Sequence, residues 1–344
     1  MQIREVDLDA DRDALVGFLK ANLSGHGGSA HFDWLYRDNP DGAARAWFVT
    51  DGAGGGPIGA AAAFPRRVWV EGENLVCWNL GDFAVGSEFR SLGPALMLQR
   101  ACTAEIIEGS VPFAYDHPSS SMMPIYKRIG FQATGHVTRY VRLLRLDDKV
   151  KGFWKERWVG KGVLALGNLM LSLGRRGSLE SGGYRAVLLD GRFDRRFTDL
   201  AERVSPHLKI AGSRTADYLN WRYIDNPLAR FYVVALEDDG HLLGYAVWRE
   251  KGKDATLMDL FGEQEATVSE AILAGVIYTM KQQGVHSLNA PVLPTSLLAP
   301  ILERWGFRAR ESAPFVVSTQ SKGRWDGMVN DETNWFLTPG DRDV

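Results

Sequence analysis

Cysteine is scarce. Only Cys77 and Cys102 occur in 344 residues, with neither a CxxC spacing nor a dense framework. That excludes a disulfide-stapled scaffold and a thiolate metal site, and the two read as buried thiols of a reducing, cytoplasmic compartment. Histidines number seven and are scattered, so no metal is expected. Excess charge of one sign is also missing: the formal net charge is −2, which argues against a chain built to coat nucleic acid. No apolar run is long enough to span a bilayer, and the start, "MQIREVDLDADRDALVGFLKANL", interleaves acids with apolar residues and does not read as a signal peptide. Walker loops, HExxH, paired CxxC and nucleophile elbows are absent as well. Hydrophobic content of 45% and charged content of 24% are ordinary for globular chains, and the length suits two domains.

A repeat divides the chain. "DWLYRDNP" (Asp33 to Pro40) returns as "NWRYIDNP" (Asn220 to Pro227), with Trp, Tyr, Asp, Asn and Pro at matching positions. After each copy comes an aromatic strand, a turn and an Ile-Gly or Leu-Gly strand, at Ile58-Gly59 and Leu243-Gly244. Each unit closes on a helical run and Gly-Phe, "PIYKRIGF" (Pro124 to Phe131) and "PILERWGF" (Pro300 to Phe307). The chain is a tandem duplication.

Periodicity and breakers give the first unit strands near 2–7, 46–50, 57–70, 74–85, 111–116 and 131–145. Helices are expected from Asp11, through the Trp-Tyr-Asn-Pro motif, over 93–108 and over 120–129. The second unit repeats this order from Tyr184. Hairpin-linked strands flanked by helices predict an α/β (α+β) class with a mixed, mostly antiparallel sheet in each unit. The expected divisions are 1–146, a linker at 147–183 and 184–344. The repeated Asn-Pro reads as scaffold, with Pro stopping the helix and Asn bonding local backbone.

Between the units, Lys149 to Arg176 holds seven Lys/Arg, one Glu, Trp154 and Trp158. It reads as an amphipathic linker helix packed across both domains, with a peripheral membrane contact as the alternative.

In "EFRSLGPAL" (Glu88 to Leu96) a strand gives way to a helix. Helix N-termini leave N–H groups unpaired and carry partial positive charge, which suits a pyrophosphate, and Arg90 adds a cation. Small residues at Gly93 and Ala95 allow close approach, while Pro94 removes one donor.

This Arg-x-x-Gly-x-Ala, together with "IYKRIGF" and the order of elements, resembles motif A and the late helix and strand of the GNAT N-acetyltransferase superfamily. The architectural resemblance covers nearly the whole chain, the cofactor motif only the first unit. It implies two tandem GNAT-like units, acetyl-CoA or another acyl-CoA as co-substrate, and acyl transfer to a small-molecule or peptide amine. Val85, Arg90, Ser91, Leu92, Gly93 and Ala95 would bind the CoA pyrophosphate. Tyr126 would be the general acid, and its other reading is a core aromatic on an amphipathic helix. Asp82 would be the general base, with Asp116 and His117 as rivals. Ser119 stands where the family often has Asn. The second unit has no such loop; Glu263 and Glu265 near its helix start would repel a pyrophosphate, and Leu302 replaces Tyr126. It is expected to bind no acyl-CoA. Other readings are a non-catalytic GNAT-like binding protein of an envelope or polysaccharide pathway, and an aminoacyl-tRNA-dependent transferase.

Overall fold

The computed structural model describes residues 1–52, 55–145 and 184–342. The basic stretch 149–176 lies outside them. In the first unit the strands are β1 (Gln2–Glu5), β2 (Arg45–Thr50), β3 (Pro57–Val70), β4 (Glu73–Val85), β5 (Phe113–Asp116) and β6 (Ala133–Leu143). Its helices are α1 (Arg12–Asn22), α2 (Ser29–Phe32), α3 (Leu92–Glu108) and α4 (Met123–Arg128). In the second unit the strands are β7 (Arg185–Leu188), β8 (Ile210–Gly212), β9 (Phe231–Asp238), β10 (His241–Lys251), β11 (Asp254–Gly262), β12 (Ser287–Val292), β13 (Arg308–Thr319) and β14 (Trp335–Phe336). Its main helices are α5 (Arg195–Val204), α6 (Ala216–Leu219), α7 (Ala266–Gln282) and α8 (Leu298–Arg304).

The class is mixed α/β, as the hairpin pattern predicts. Within the sheet only β4–β5, β11–β12 and β8–β14 run parallel. The units do not each close a sheet of their own. The order is β1-β2-β3-β4-β5-β13-β6-β12-β11-β10-β9-β7, so each unit receives the other's last long strand. Val316 pairs with Asp116 across β13 and β5, and Ala290 pairs with Tyr140 across β12 and β6. Alternation along a strand says which face is buried but not which neighbour it meets, so this exchange is invisible to a linear pattern. It makes one sheet of fourteen strands. Among the described residues no helix is long and apolar enough to cross a membrane.

The duplicated motif lies at the centre of one face. In each copy a short helix runs on into a π-type turn, closed by Asp38 N–H donating to the Asp33 carbonyl and Asp225 N–H donating to that of Asn220. The two indoles meet with ring centres 4.9 Å apart, nearly parallel. Trp34 Nε1 donates to the Trp221 carbonyl at 2.7 Å, and Trp221 Nε1 donates to the Trp34 carbonyl at 2.8 Å. Both residues are buried in an apolar cluster that runs from Leu15 and Phe32 to Phe197 and Tyr245. The Asn side chains do the local work expected of them. Asn39 receives Asp41 N–H and donates to the Pro65 carbonyl, while Asn226 receives Leu228 N–H and donates to the Arg222 carbonyl.

Trp34→Ala and Trp221→Ala are each expected to cost about 3–5 kcal/mol of stability, since each leaves a cavity and a buried carbonyl without its donor. Because the residues share one contact, the double variant should lose less than the two single losses combined, measured by denaturant unfolding.

Candidate active site

Strands β4 and β5 pair only at Trp78 with Ala114 and Asn79 with Tyr115. Beyond that point they separate. On β4 the cause is a bulge: the register against β3 shifts between Ala60 and Ala62, so Asp82 and Phe83 face the single residue Ala61. Asp82 sits there at φ 47°, a conformation non-glycine residues rarely adopt. On β5 the strand ends at Asp116, and Pro118 two residues on has no N–H to continue a ladder. The gap opens into a cleft of about 660 Å³, with Leu80 to Phe83 on one wall, Asp116 to Ser119 on the other, and Gln99 and Cys102 of α3 beneath.

Asp82 receives a 2.7 Å hydrogen bond from the Tyr36 hydroxyl. Tyr36 is fully buried, stacked on Phe32 and edge-on to Phe64. Burial pushes the Asp82 carboxyl up to about 6, and the Tyr36 bond opposes that rise. Tyr36 is therefore a positioning residue of the site as well as scaffold. Its membership of the repeated motif pointed to packing alone, because the contact with Asp82 spans 46 positions of sequence.

The opposite wall carries a second polar pair. The Tyr126 hydroxyl donates to Asp116 Oδ2 at 2.5 Å. Tyr126 has no exposed surface and lies behind Asp116, which itself lines the cleft. Burial and the Asp116 charge hold the phenol well above 10, so its proton stays on oxygen at neutral pH. His117 also lines the cleft, its ring 5.2 Å from that of Phe315. Burial, aided by the Arg342 cation, keeps it neutral. Ser119 Oγ meets Ser121 Oγ at 2.7 Å.

Past Val85 a short turn leads into α3. Arg90, Ser91, Leu92 and Gly93 are exposed, and Pro94 and Ala95 turn inward. No side chain caps this helix, so the amides of its first turn have neither an intrahelical partner nor a capping oxygen. A Cβ at Gly93 would meet only the Met1 methyl at 3.8 Å, so the approach from solvent is open. Among the described residues Arg90 makes no ion pair. This stretch is not part of the cleft lining but lies at the head of the helix whose Gln99 and Cys102 form the cleft floor.

The second unit has the same parts with the space filled. Ala60 opposite Ala84 becomes Tyr245 opposite Phe261. Asp259, the counterpart of Asp82, is bound by Arg214 at 3.0 Å, by the Tyr245 hydroxyl at 2.9 Å and by the Thr338 hydroxyl at 3.0 Å. Arg214 continues to Asp341 at 2.8 Å and lies over the rings of Phe261 and Phe336. Every acceptor site on Asp259 is engaged by groups that are themselves buried. At the head of α7, Glu265 takes the capping position that Ser91 holds on α3, where a carboxylate disfavours an anion. Among the described residues no three His, Cys, Asp or Glu side chains gather as metal ligands.

Solved structures share this architecture. A GCN5-related N-acetyltransferase from Anabaena variabilis superposes with a TM-score of 0.65 at 12% identity, covering 92% of this chain and 72% of that one. The fold is that of the GNAT N-acetyltransferases. A second GCN5-related N-acetyltransferase, from Kribbella flavida, gives 0.58 at 16% identity, over 92% of this chain and 70% of the other. N-myristoyltransferase from Saccharomyces cerevisiae, solved with bound myristoyl-CoA, also gives 0.58, at 12% identity, over 92% and 82%. No family model matches the sequence, and no curated protein matches it. The GNAT likeness is thus one of fold.

Tyr36→Phe removes the donor that favours the charged form of Asp82, so the carboxyl should titrate above its present value of about 6. Carbon-detected NMR of the aspartate carboxyls, with Asp82→Asn to assign the signal, reads the shift. An unchanged midpoint would return Tyr36 to packing alone.

Proposed function

We propose that this chain is an acyl-CoA-dependent N-acyltransferase whose first unit carries the reaction, with acetyl-CoA as the donor. The observation that carries the reading is the open, splayed cleft with a half-buried carboxylate, set against a filled counterpart in the second unit. The residues fit the co-substrate. Leu92 and Gly93 offer backbone N–H groups at the head of α3, with Arg90 as the cation and Val85, Ser91 and Ala95 beside them. These would hold the pyrophosphate, and the gap between β4 and β5 would admit the pantetheine arm toward Asp82.

In the proposed reaction the amine nitrogen attacks the thioester carbonyl, forming the C–N bond as the C–S bond breaks. Asp82 takes the amine proton, directly or through a water. A carboxyl titrating near 6 is ionised at neutral pH yet more basic than a free aspartate. Tyr126 supplies a proton to the departing thiolate. To do so its hydroxyl must leave Asp116 and turn into the cleft, and the phenolate then regains through solvent the proton that Asp82 took, which closes the cycle. The second unit closes the far side of the cleft with Leu228, Ala229, Arg249 and Lys251. It serves the acceptor and leaves the donor to the first unit.

Acetyl-CoA at roughly 100 times its dissociation constant should add about 2.7 kcal/mol of stability in a thermal shift, and Arg90→Ala should require more ligand for the same effect. No shift with acetyl-CoA or longer acyl-CoAs sinks the enzyme reading and leaves a binding protein of GNAT fold.

Asp82→Asn should lower kcat/KM by about 10²–10⁴-fold while cofactor binding persists, and Tyr126→Phe should lower turnover more than affinity. In the parent chain the base works only as the carboxylate. The rate should therefore fall about tenfold per unit as pH drops below about 6 and level off above it.

A further inference from the structure

The first-unit walls of the cleft and its second-unit side carry opposite charge. Asp82 and Asp116 come from the first unit, whereas Arg249 and Lys251 enter from the second. The latter stand two apart on β10, so both project from one face of the sheet. Behind them lie Arg222, which is 4% exposed, and Arg342. Among the described residues none of these four cations has a carboxylate partner. Arg222 donates to the carbonyls of Pro339 and Arg342, and the buried Nε of Arg342 has no partner. Arg249 and Lys251 are exposed at the cleft rim, but Arg222 is buried, and a buried cation without an anion is a vacancy for one. Partial burial at the cleft wall and the Arg222 and Arg342 charges push the Arg249 guanidinium down.

Two histidines of the first unit complete the arrangement, His26 from the α1–α2 loop and His31 from α2. His31 is 4% exposed, lines the cleft, and accepts Gly27 N–H on Nδ1. Its neutral tautomer therefore carries the proton on Nε2, a buried donor with no protein partner. His26, with ring centre 4.6 Å away, has the same pattern: Nδ1 accepts Gly28 N–H and Nε2 is buried and unmatched. Burial, with His26 and Arg222 adding to it, holds His31 down at about 4, so it acts as a neutral donor.

We propose that the amine acceptor bears an anionic group, a carboxylate or a phosphate, which docks on Arg249 and Lys251 and receives hydrogen bonds from His26 and His31. The amine end then points to the Asp82 wall, where the proton is to be taken. This deepens the acyltransferase reading and rests on it for the word acceptor, but the anion site stands on its own geometry. Donor phosphates are assigned to a different place, the head of α3, so the two anion sites are separable by mutation.

The test is isothermal titration of the full chain with three probes: glutamate for the carboxylate arm, phosphoethanolamine for the phosphate arm, and ethanolamine without an anion. At least one anionic amine should bind tenfold or more tightly than ethanolamine, and which one tells the group. Arg249→Ala combined with Lys251→Ala should weaken that binding tenfold or more and leave acetyl-CoA binding unchanged; both side chains reach the cleft from the sheet surface, so the variant is expected to fold. His31→Gln, which keeps a donor, should retain more affinity than His31→Ala. Equal binding of ethanolamine, no binding of either anionic amine, or an unaffected double variant overturns the proposal. Anionic amines that bind to a chain unable to bind any acyl-CoA would keep the site and end the enzyme reading.

Discussion

The reciprocal contact of Trp34 and Trp221 is the constraint on which the rest of the molecule depends. Each indole N–H needs an acceptor once buried, and each finds it in the other's backbone. A π-type turn is an uncommon local choice, and it persists here because the partner copy rewards it. The same turn directs Tyr36 the other way, to the carboxyl of Asp82. One repeated motif thus joins the two units and holds the carboxyl of Asp82. The exchanged strands β6 and β13 add a second tie, since neither unit can leave without taking the other's sheet edge.

Duplication left two clefts, and physics of burial decided their fates. Around Asp82 the cross-strand pair is two alanines, and one hydrogen bond meets the carboxyl. Around Asp259 the pair is Tyr245 and Phe261, and Arg214, Tyr245 and Thr338 saturate the carboxyl. A half-buried acid with one donor keeps a raised affinity for a proton, which is the property a base needs. A fully buried acid locked to a guanidinium is a structural ion pair, whose partner cannot be removed without exposing an unpaired charge to the interior. The second unit thus differs from the first in two places, the filled space around Asp259 and the carboxylate at the head of α7.

Charge in the remaining cleft is segregated by unit. Carboxylates stand on the first-unit wall, guanidinium and ammonium groups on the second. With a net charge of −2 over the whole chain, such separation is a local feature that no composition reveals.

Much was legible in the linear pattern. The repeat, the order and extent of the long strands, α3 and the Arg90 to Ala95 turn all follow from periodicity, breakers and capping, which are local in range. Asp82 could be singled out by its place before that turn. What only tertiary structure decided is every contact between distant positions: the indole pair across 187 residues, the exchange of β6 and β13, the plug around Asp259, and Tyr36 on Asp82. Tyr126 shows the difference well. Its helix and neighbours were predictable, but its complete burial behind Asp116 depends on how α4 packs on α3. Local propensity fixes φ and ψ, whereas the partners of a buried polar atom are chosen by whichever elements the whole chain brings within hydrogen-bonding distance.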